Sequence, residues 1–600
     1  MEVSGLNVYK ELGFFYKLIP LLQRSRILPY DAIIPLRLLN IRRERPDIER
    51  AFDIEQRSGR ENLIIWYLRH GFVELGLNPS PTDAALINSL GRAAPAIPNL
   101  SFTPITWLMR LLRDKFAAPD GFSFQRAESQ DQFLSWFFVQ ALESENLTGF
   151  LTPEQANALI APVGECETRK LKGGRLLHCI WVSSPDLHTH FTGYLDPAFQ
   201  NWCLSEQGLR RFPILTHPLI ALAEPPARNP LHKRAFGVNL FGHVHARSGV
   251  SEDVRMACRT LEAAQIAYNV YNISPGAGMA EEDCSVAENS GPLPYAINMF
   301  CMTAASTVTA VLSRGRAAVA EHYSIGFWPW ELPEMPVFWN HAYDFVDEIW
   351  SSTHFTYEAF CRSSPQPVRH VPFAVDVSES DGLTRKDFGL PLEQFLFGFA
   401  FDGLSGYARK APLNIVEAFY RAFARDDHSV GLVIKGLRVG GDPAWQDVID
   451  AVNDDPRIHL VTSSLSRGSL LDLWRALDCF VSLHRSEGFG RNIAEAMLLG
   501  RPVIVTAHSG NMDFTDHDTA GLVACSLRPV ANGEYAFGEG QSWAEPDISV
   551  AASRMHRMFH DHIWRKNLAL NGQRRISETY GLETISKSWK QKLTKIYSEN

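Results

Sequence analysis

Six hundred residues exceed one ordinary domain and leave room for several cores. Hydrophobic residues make up 45% and charged residues 21%, as in an ordinary globular chain, and the net charge of −9 carries no basic footprint of the kind nucleic acid demands. The nine cysteines are dispersed with no C-x-x-C pair, which argues for reduced thiols in a cytosol and against a disulfide framework. No basic, then apolar leader opens the sequence, and no run of about 20 apolar residues marks a spanning helix. The expected location is cytoplasmic, with any membrane contact peripheral and at the inner face.

Residues 1–163 read as mainly helical. Val8–Gln23 is mildly amphipathic, which suits either a bilayer surface or packing on its own domain. Leu36–Arg45, Arg60–Gly76 and Gln130–Glu145 place apolar residues at three- and four-residue spacing, and Pro46 ends the first of them. The segments ENLIIWYLRHGFVELGL and DQFLSWFFVQALESENL each set a tryptophan early in an apolar helix, which suggests a divergent helical repeat. Residues 164–230 read as a mixed connector with a strand-like run, LLHCIWV, closing in the proline-rich linker Glu224–Pro230.

From residue 231 the texture changes. Short apolar runs (AFGVNLFGH, AYNVYNI, YAINMFC, YSIGFW, DEIWSS, VRHVPF) alternate with helical patterns up to residue 378. After a polar connector, Asp376–Glu393, the rhythm restarts with FLFGFAF, VGLVIKG, IHLVTS, CFVSL, RPVIVTA and AGLVAC, and it governs residues 379–600. The expectation is an α/β chain: two doubly wound, Rossmann-like domains facing a cleft, after a mainly α-helical region. Leu582–Tyr597 reads as an amphipathic helix packed on its own domain.

The stretch Ser482–Phe514 is the most informative. CFVSL is a buried strand, SEGFG a glycine-bearing turn beyond its carboxyl end, and Asn492–Leu499 a helix ended by Gly500. A turn at a helix N-terminus offers free N–H groups, a cradle for phosphate. Glu487 and Glu495 suit the hydroxyls of ribose and sugar as acceptors. Carboxylates beside phosphate require cations, for which Arg485, Arg491, Arg409 and Lys410 are candidates.

These residues, with EAM, the G-x-P-V-I run and SGN-x-D-F, resemble the signature of family-four retaining glycosyltransferases of the GT-B fold. Three further segments share the resemblance: Ala235–Arg255 the first strand and glycine-bearing loop, Phe327–Trp350 the late first-domain region of bacterial polysaccharide members, and Ser405–Phe419 the stretch with the phosphate-binding cations. The resemblance covers roughly residues 235–600. It implies that Glu487 contacts the donor sugar and that Glu495 binds the ribose hydroxyls. It implies that Gly488, Phe489 and Gly490 offer amides to the diphosphate. Lys410, with Arg409, would neutralise the leaving diphosphate, and Ser248 and Gly249 would approach the donor from the first domain. The sequence departs from the pattern at Arg491, where an aliphatic residue is common, and at Asp402-Gly403, where a glycine-arginine pair is usual.

A nucleotide-sugar donor and a glycan or lipid-linked acceptor are thus the expected partners, in surface-polysaccharide synthesis. With no convincing D-x-D placement, no metal and no other cofactor is expected. His243, Glu331 and Asn511 are further cleft candidates. The pairs His188/His190 and His243/His245 lack third and fourth ligands nearby for zinc. Trp328, Trp330, Trp339 and Trp350 suit packing or a sugar platform. Two alternatives stand beside transfer: another GT-B activity, such as a sugar-nucleotide epimerase or a phosphorylase, and a scaffold acting through residues 1–230, the region expected to bind acceptor, protein partner or membrane surface.

Overall fold

The computed structural model describes residues 34–75, 83–94, 97–115, 122–144, 147–161, 163, 174–220, 234–275, 281, 283–314, 318–319, 321–440 and 442–599. Val8–Gln23 and Glu224–Pro230 lie outside them. The chain falls into two compact units, one of residues 11–229 with 311–320, the other chiefly of 230–310 with 321–600.

The described part of the first unit is helical. Helix Arg57–Trp66 runs through a π-helical turn, Tyr67–Gly71, into Phe72–Leu75. Seventy residues on, Ala127–Trp136 runs through a π-helical turn, Phe137–Ala141, into Leu142–Ser144. Phe52 meets Trp66 and Phe122 meets Trp136, each pair with ring centroids 6.2 Å apart and each at that same offset. π-turns are rare, so their recurrence at equivalent places supports a structural repeat. The supposed strand LLHCIWV is instead helical, within Gly174–Ser183. Its buried Leu176, Leu177, Cys179 and Ile180 share one helical face, and a short apolar run fits a buried helix as well as a strand. The stretch expected to be mixed is helical over its described residues, 174–220.

The second unit holds two six-stranded parallel sheets, the expected GT-B architecture. The first lobe has β1 (Ala235–Gly242), α1 (Gly249–Ala263), β2 (Tyr268–Asn272), β3 (Tyr295–Phe300), α2 (Ala304–Arg314), β4 (Tyr323–Phe327), β5 (Glu348–Ser351), α3 (His354–Cys361) and β6 (Val368–His370), with strand order β2-β1-β3-β4-β5-β6. The second lobe has β7 (Phe395–Asp402), α4 (Pro412–Ala422), β8 (Val430–Leu437), α5 (Pro443–Val452), β9 (Ile458–Val461), α6 (Arg467–Ala476), β10 (Cys479–Ser482), α7 (Arg491–Leu498), β11 (Val503–Thr506) and β12 (Gly521–Val523), ordered β12-β11-β10-β7-β8-β9. Both faces of this sheet are covered. Phe397, Phe399 and Phe401 of β7 pack with Ile415 and Phe419 of α4, while Leu396 and Ala400 pack with Trp474 and Ile493 on the other side.

Beyond β12 come a hairpin, β13 (Cys525–Pro529) with β14 (Ser542–Pro546), and helices α8 (Ile548–His560), α9 (His562–Tyr580) and α10 (Leu582–Glu599). The helix expected at 582–597 does not pack on the second lobe. It returns to the first, where Ile585, Trp589, Leu593 and Ile596 join the core of Phe327, Trp350 and Phe373. Trp589 Nε1 donates to Pro372 O at 3.3 Å, and Tyr597 to Arg234 O at 3.0 Å. The reason is physical: those aromatic side chains form an apolar face, and α10 brings its own apolar stripe to it.

Candidate active site

Open parallel sheets bind ligands beyond the carboxyl ends of strands where the strand order reverses. In the second lobe that point lies between β7 and β10. The residues after β7 lead to the short helix Tyr407–Lys410, and those after β10 form the SEGFG turn that opens α7. In the first lobe the reversal lies between β1 and β3, and β1 leads to Ser248 and Gly249. Topology therefore brings the expected segments to one place.

Glu487 sits between two cations. Lys410 Nζ pairs with its Oε1, and Arg409 approaches Oε2 at 3.2 Å. Arg409 also donates to Ser486 O at 2.9 Å and Ser405 O at 3.0 Å, and lies over the Tyr535 ring at 5.7 Å. Burial alone raises the Glu487 carboxyl, but Lys410 and Arg409 outweigh it and hold it at about 2. Burial pushes the Lys410 ammonium below its usual range, against the pull of Glu487. Gly490, at φ +89°, caps α7, and no side chain bonds that terminus. The Phe489 ring is buried among Phe514 and Tyr580, which pins the turn from beneath. A Cβ on Gly488 would lie 2.6 Å from Trp330 O, so the turn abuts the first lobe.

Glu495 is fully buried on α7. Its Oε1 accepts from Arg467 at 2.7 Å, and its Oε2 is buried without a hydrogen-bond partner. Arg467, the first residue of α6, also lies 3.3 Å from Glu252 of α1. Beside it Arg491 donates through Nε to Asp253 at 3.0 Å. The unusual arginine of the motif is thus matched by an acid on the other lobe. Sequence reasoning missed Arg467, Glu252 and Asp253. Glu252 and Asp253 in the first turns of α1 were the available signal.

The remaining candidates divide. Ser248 caps α1, accepting from Ser251 N at 3.2 Å, and a Cβ on Gly249 would meet nothing within 4 Å, so the approach is open. Glu331 accepts from Tyr535 at 2.9 Å and reaches the Arg409 cluster. Arg485 pairs with Glu545 at 2.7 and 2.9 Å and donates to Ala408 O, so it ties the turn to β14 and to the short helix of Arg409. Asn511 is buried in the loop framework, with His484 at 2.9 Å and Thr506 O at 3.0 Å. His243 follows β1, its Nδ1 2.6 Å from Ile273 O, and burial lowers its pKa. His188 lies in a 3-10 turn, not a strand, and stacks on Trp181. Trp328, Trp330 and Trp350 are buried packing residues, and Trp339 packs edge-on against Phe537.

Residues 400–532 match the family described as Glycosyl transferases group 1. No curated protein matches the chain. Among solved structures, sucrose-phosphate synthase from Thermosynechococcus elongatus is similar at 16% identity, over 61% of this chain and 100% of that one, with a TM-score of 0.45. Anabaena HepE, solved with UDP and glucose, matches at 14% identity over 60% of this chain and 100% of its own, TM-score 0.44. A glycosyltransferase from Rickettsia africae matches at 12% over 61% and 98%, TM-score 0.44. The matched residues lie within the second lobe and its following hairpin.

Proposed function

We propose that this protein transfers a sugar with retention from a nucleotide-sugar donor to a glycan or lipid-linked acceptor, in surface-polysaccharide assembly and without a catalytic metal. The observation that carries the reading is the Arg409–Glu487–Lys410 cluster at the switch point of a lobe that matches group 1 glycosyl transferases.

Cleaving a sugar–phosphate bond leaves negative charge on the departing diphosphate, and fixed cations aimed there lower the barrier. Lys410 and Arg409 supply two, and the uncapped N-terminus of α7 adds amide donors. An arriving diphosphate competes with Glu487 for those cations and frees its carboxylate to accept from sugar hydroxyls. The unpartnered Oε2 of Glu495 is the acceptor assigned to ribose. Retention rests on the resemblance of the SEGFG-to-EAM segment to its family. The two lysine and arginine charges make a metal unnecessary for neutralising the leaving group.

The test is a thermal-shift screen with UDP, GDP, ADP and their sugars on wild type and Glu495→Ala. A ligand at 100 times its Kd stabilises by about 2.7 kcal/mol. A shift with one nucleotide, lost in the variant, supports the reading, and no shift with any of them overturns it. Turnover is expected to persist in excess chelator; loss restored by Mg²⁺ or Mn²⁺ would remove the metal-free mechanism.

A further inference from the structure

Away from the Arg409–Lys410 cluster, three ligand-type side chains from both lobes converge. His354 opens α3 and His370 ends β6, in the first lobe, while Asp513 ends the 3-10 turn Gly510–Asp513 in the second. Asp513 Oδ2 lies 3.0 Å from His354 Nδ1 and 3.3 Å from His370 Nε2. One ligand atom from each of the three residues lies within 4.8 Å of the others, and the imidazole centroids are 4.0 Å apart.

Hydrogen bonding accounts for one of the two rings, since His354 Nδ1 bonds Asp513 Oδ2 at 3.0 Å. His370 Nε2 is buried and makes no hydrogen bond, although the carboxylate is beside it. Two imidazoles and a carboxylate are a ligand set for a metal. Zinc bonds of about 2.0–2.1 Å in a tetrahedron put neighbouring ligand atoms about 3.3 Å apart, close to both separations here. The His354 amide donates to the same Oδ2 at 2.9 Å, the kind of outer contact that orients a ligating carboxylate. His354 is exposed, so a fourth position opens to water. Mixed imidazole and carboxylate donors favour zinc-class ions, whereas Mg²⁺ and Ca²⁺ take oxygen.

We propose that His354, His370 and Asp513 form a binding site for one divalent transition ion of the zinc class, which clasps the two lobes. The residue before His354, Thr353, donates to Gly488 O at 2.8 Å, so the clasp stands next to the SEGFG turn. The ion fixes lobe against lobe and takes no part in neutralising a diphosphate. The proposal does not depend on the sugar-transfer reading.

The full chain, stripped with chelator, is titrated with Zn²⁺ against a chromophoric competitor, and with Co²⁺ while visible absorption is followed. The expected result is one ion per chain, a tetrahedral Co²⁺ spectrum, and a melting temperature that rises with Zn²⁺. His370→Ala, His370→Gln and Asp513→Asn should each weaken binding by more than the roughly 10–100-fold that outer partners command, with far-UV circular dichroism unchanged. A His556→Ala/His560→Ala control, removing a surface pair on α8, should bind as wild type. No stoichiometric ion, unchanged affinity in the three variants, or loss confined to the control would each overturn the site. Nucleotide-induced shifts on the same samples report separately on the sugar-transfer reading.

Discussion

Replacing Arg467 by methionine removes the cation that Glu495 touches at 2.7 Å and takes one from Glu252 at 3.3 Å. Both carboxylates are buried. Breaking a buried pair from one side costs about 3–5 kcal/mol, because a charge is left uncompensated. Glu495 carries the larger share, since Glu252 keeps Arg255 at 2.9 Å. At about 2–4 °C per kcal/mol for a unit of 150–250 residues, the transition of the second lobe falls by roughly 6–20 °C. The loss depends on pH. Burial raises the Glu252 carboxyl, but Arg467, Arg255 and Arg491 outweigh it and hold it below its usual value. Its contribution is therefore present above the unfolded value of about 4.3 and lost as pH falls through the folded one. Without Arg467 that contribution shrinks, so the variant differs most from wild type near pH 7 and least once the pH has fallen below the folded value. Thermal unfolding at several pH values measures this. A loss under about 1 kcal/mol, or one that is equal across pH, refutes the reasoning.

Four further outcomes are expected. Lys410→Met should lower kcat by about 10²–10³, the usual effect of removing one donor to developing negative charge, as read in a sugar-release assay. In Glu487→Gln the fall of stability between about pH 4.3 and 2 should be shallower than in wild type, because the native carboxyl, held at about 2, supplies stability that fades over that interval; urea midpoints across it decide. Gly488→Ala should cost about 1–3 kcal/mol and enlarge the radius of gyration in solution scattering, since its Cβ would press on Trp330 O; unchanged values would contradict the close approach of the lobes. A chain starting near Ala235 should keep its nucleotide-induced shift and lose transfer to the native acceptor. Full activity and localisation there would show that the helical unit binds neither acceptor nor partner.

The inner strands of the two parallel sheets were legible because strands buried on both faces read as short continuous apolar runs, while the edge strands β6 and β9 are only partly buried. The same property misled at LLHCIWV, where a helix buries as continuous a run. Helix α9 escaped notice because it buries only Leu568, Gly572, Ile576 and Tyr580, about one residue per turn, too thin a stripe for periodicity to register. At the site, residues inside motifs were visible and their partners were not. Lys410, Arg409 and Glu487 stand in matching segments and meet in space. Arg467 belongs to no motif and finds Glu495 only across 28 residues of chain. Arg485 stands in the motif, yet its charge is spoken for by Glu545, 60 residues on.

Helix α10 sets a schedule for synthesis. Trp589 fills the first lobe's core against Phe327 and Trp350, yet it lies 219 residues after His370, the end of that lobe's sheet. At about 5–20 residues per second, a ribosome takes about 10–45 s to cover that interval. For that time the nascent first lobe shows an aromatic face with nothing to cover it, while the second lobe is made and folds alone. The lobe translated first is thus the lobe finished last, and it is there that a chaperone has the longest opportunity to bind.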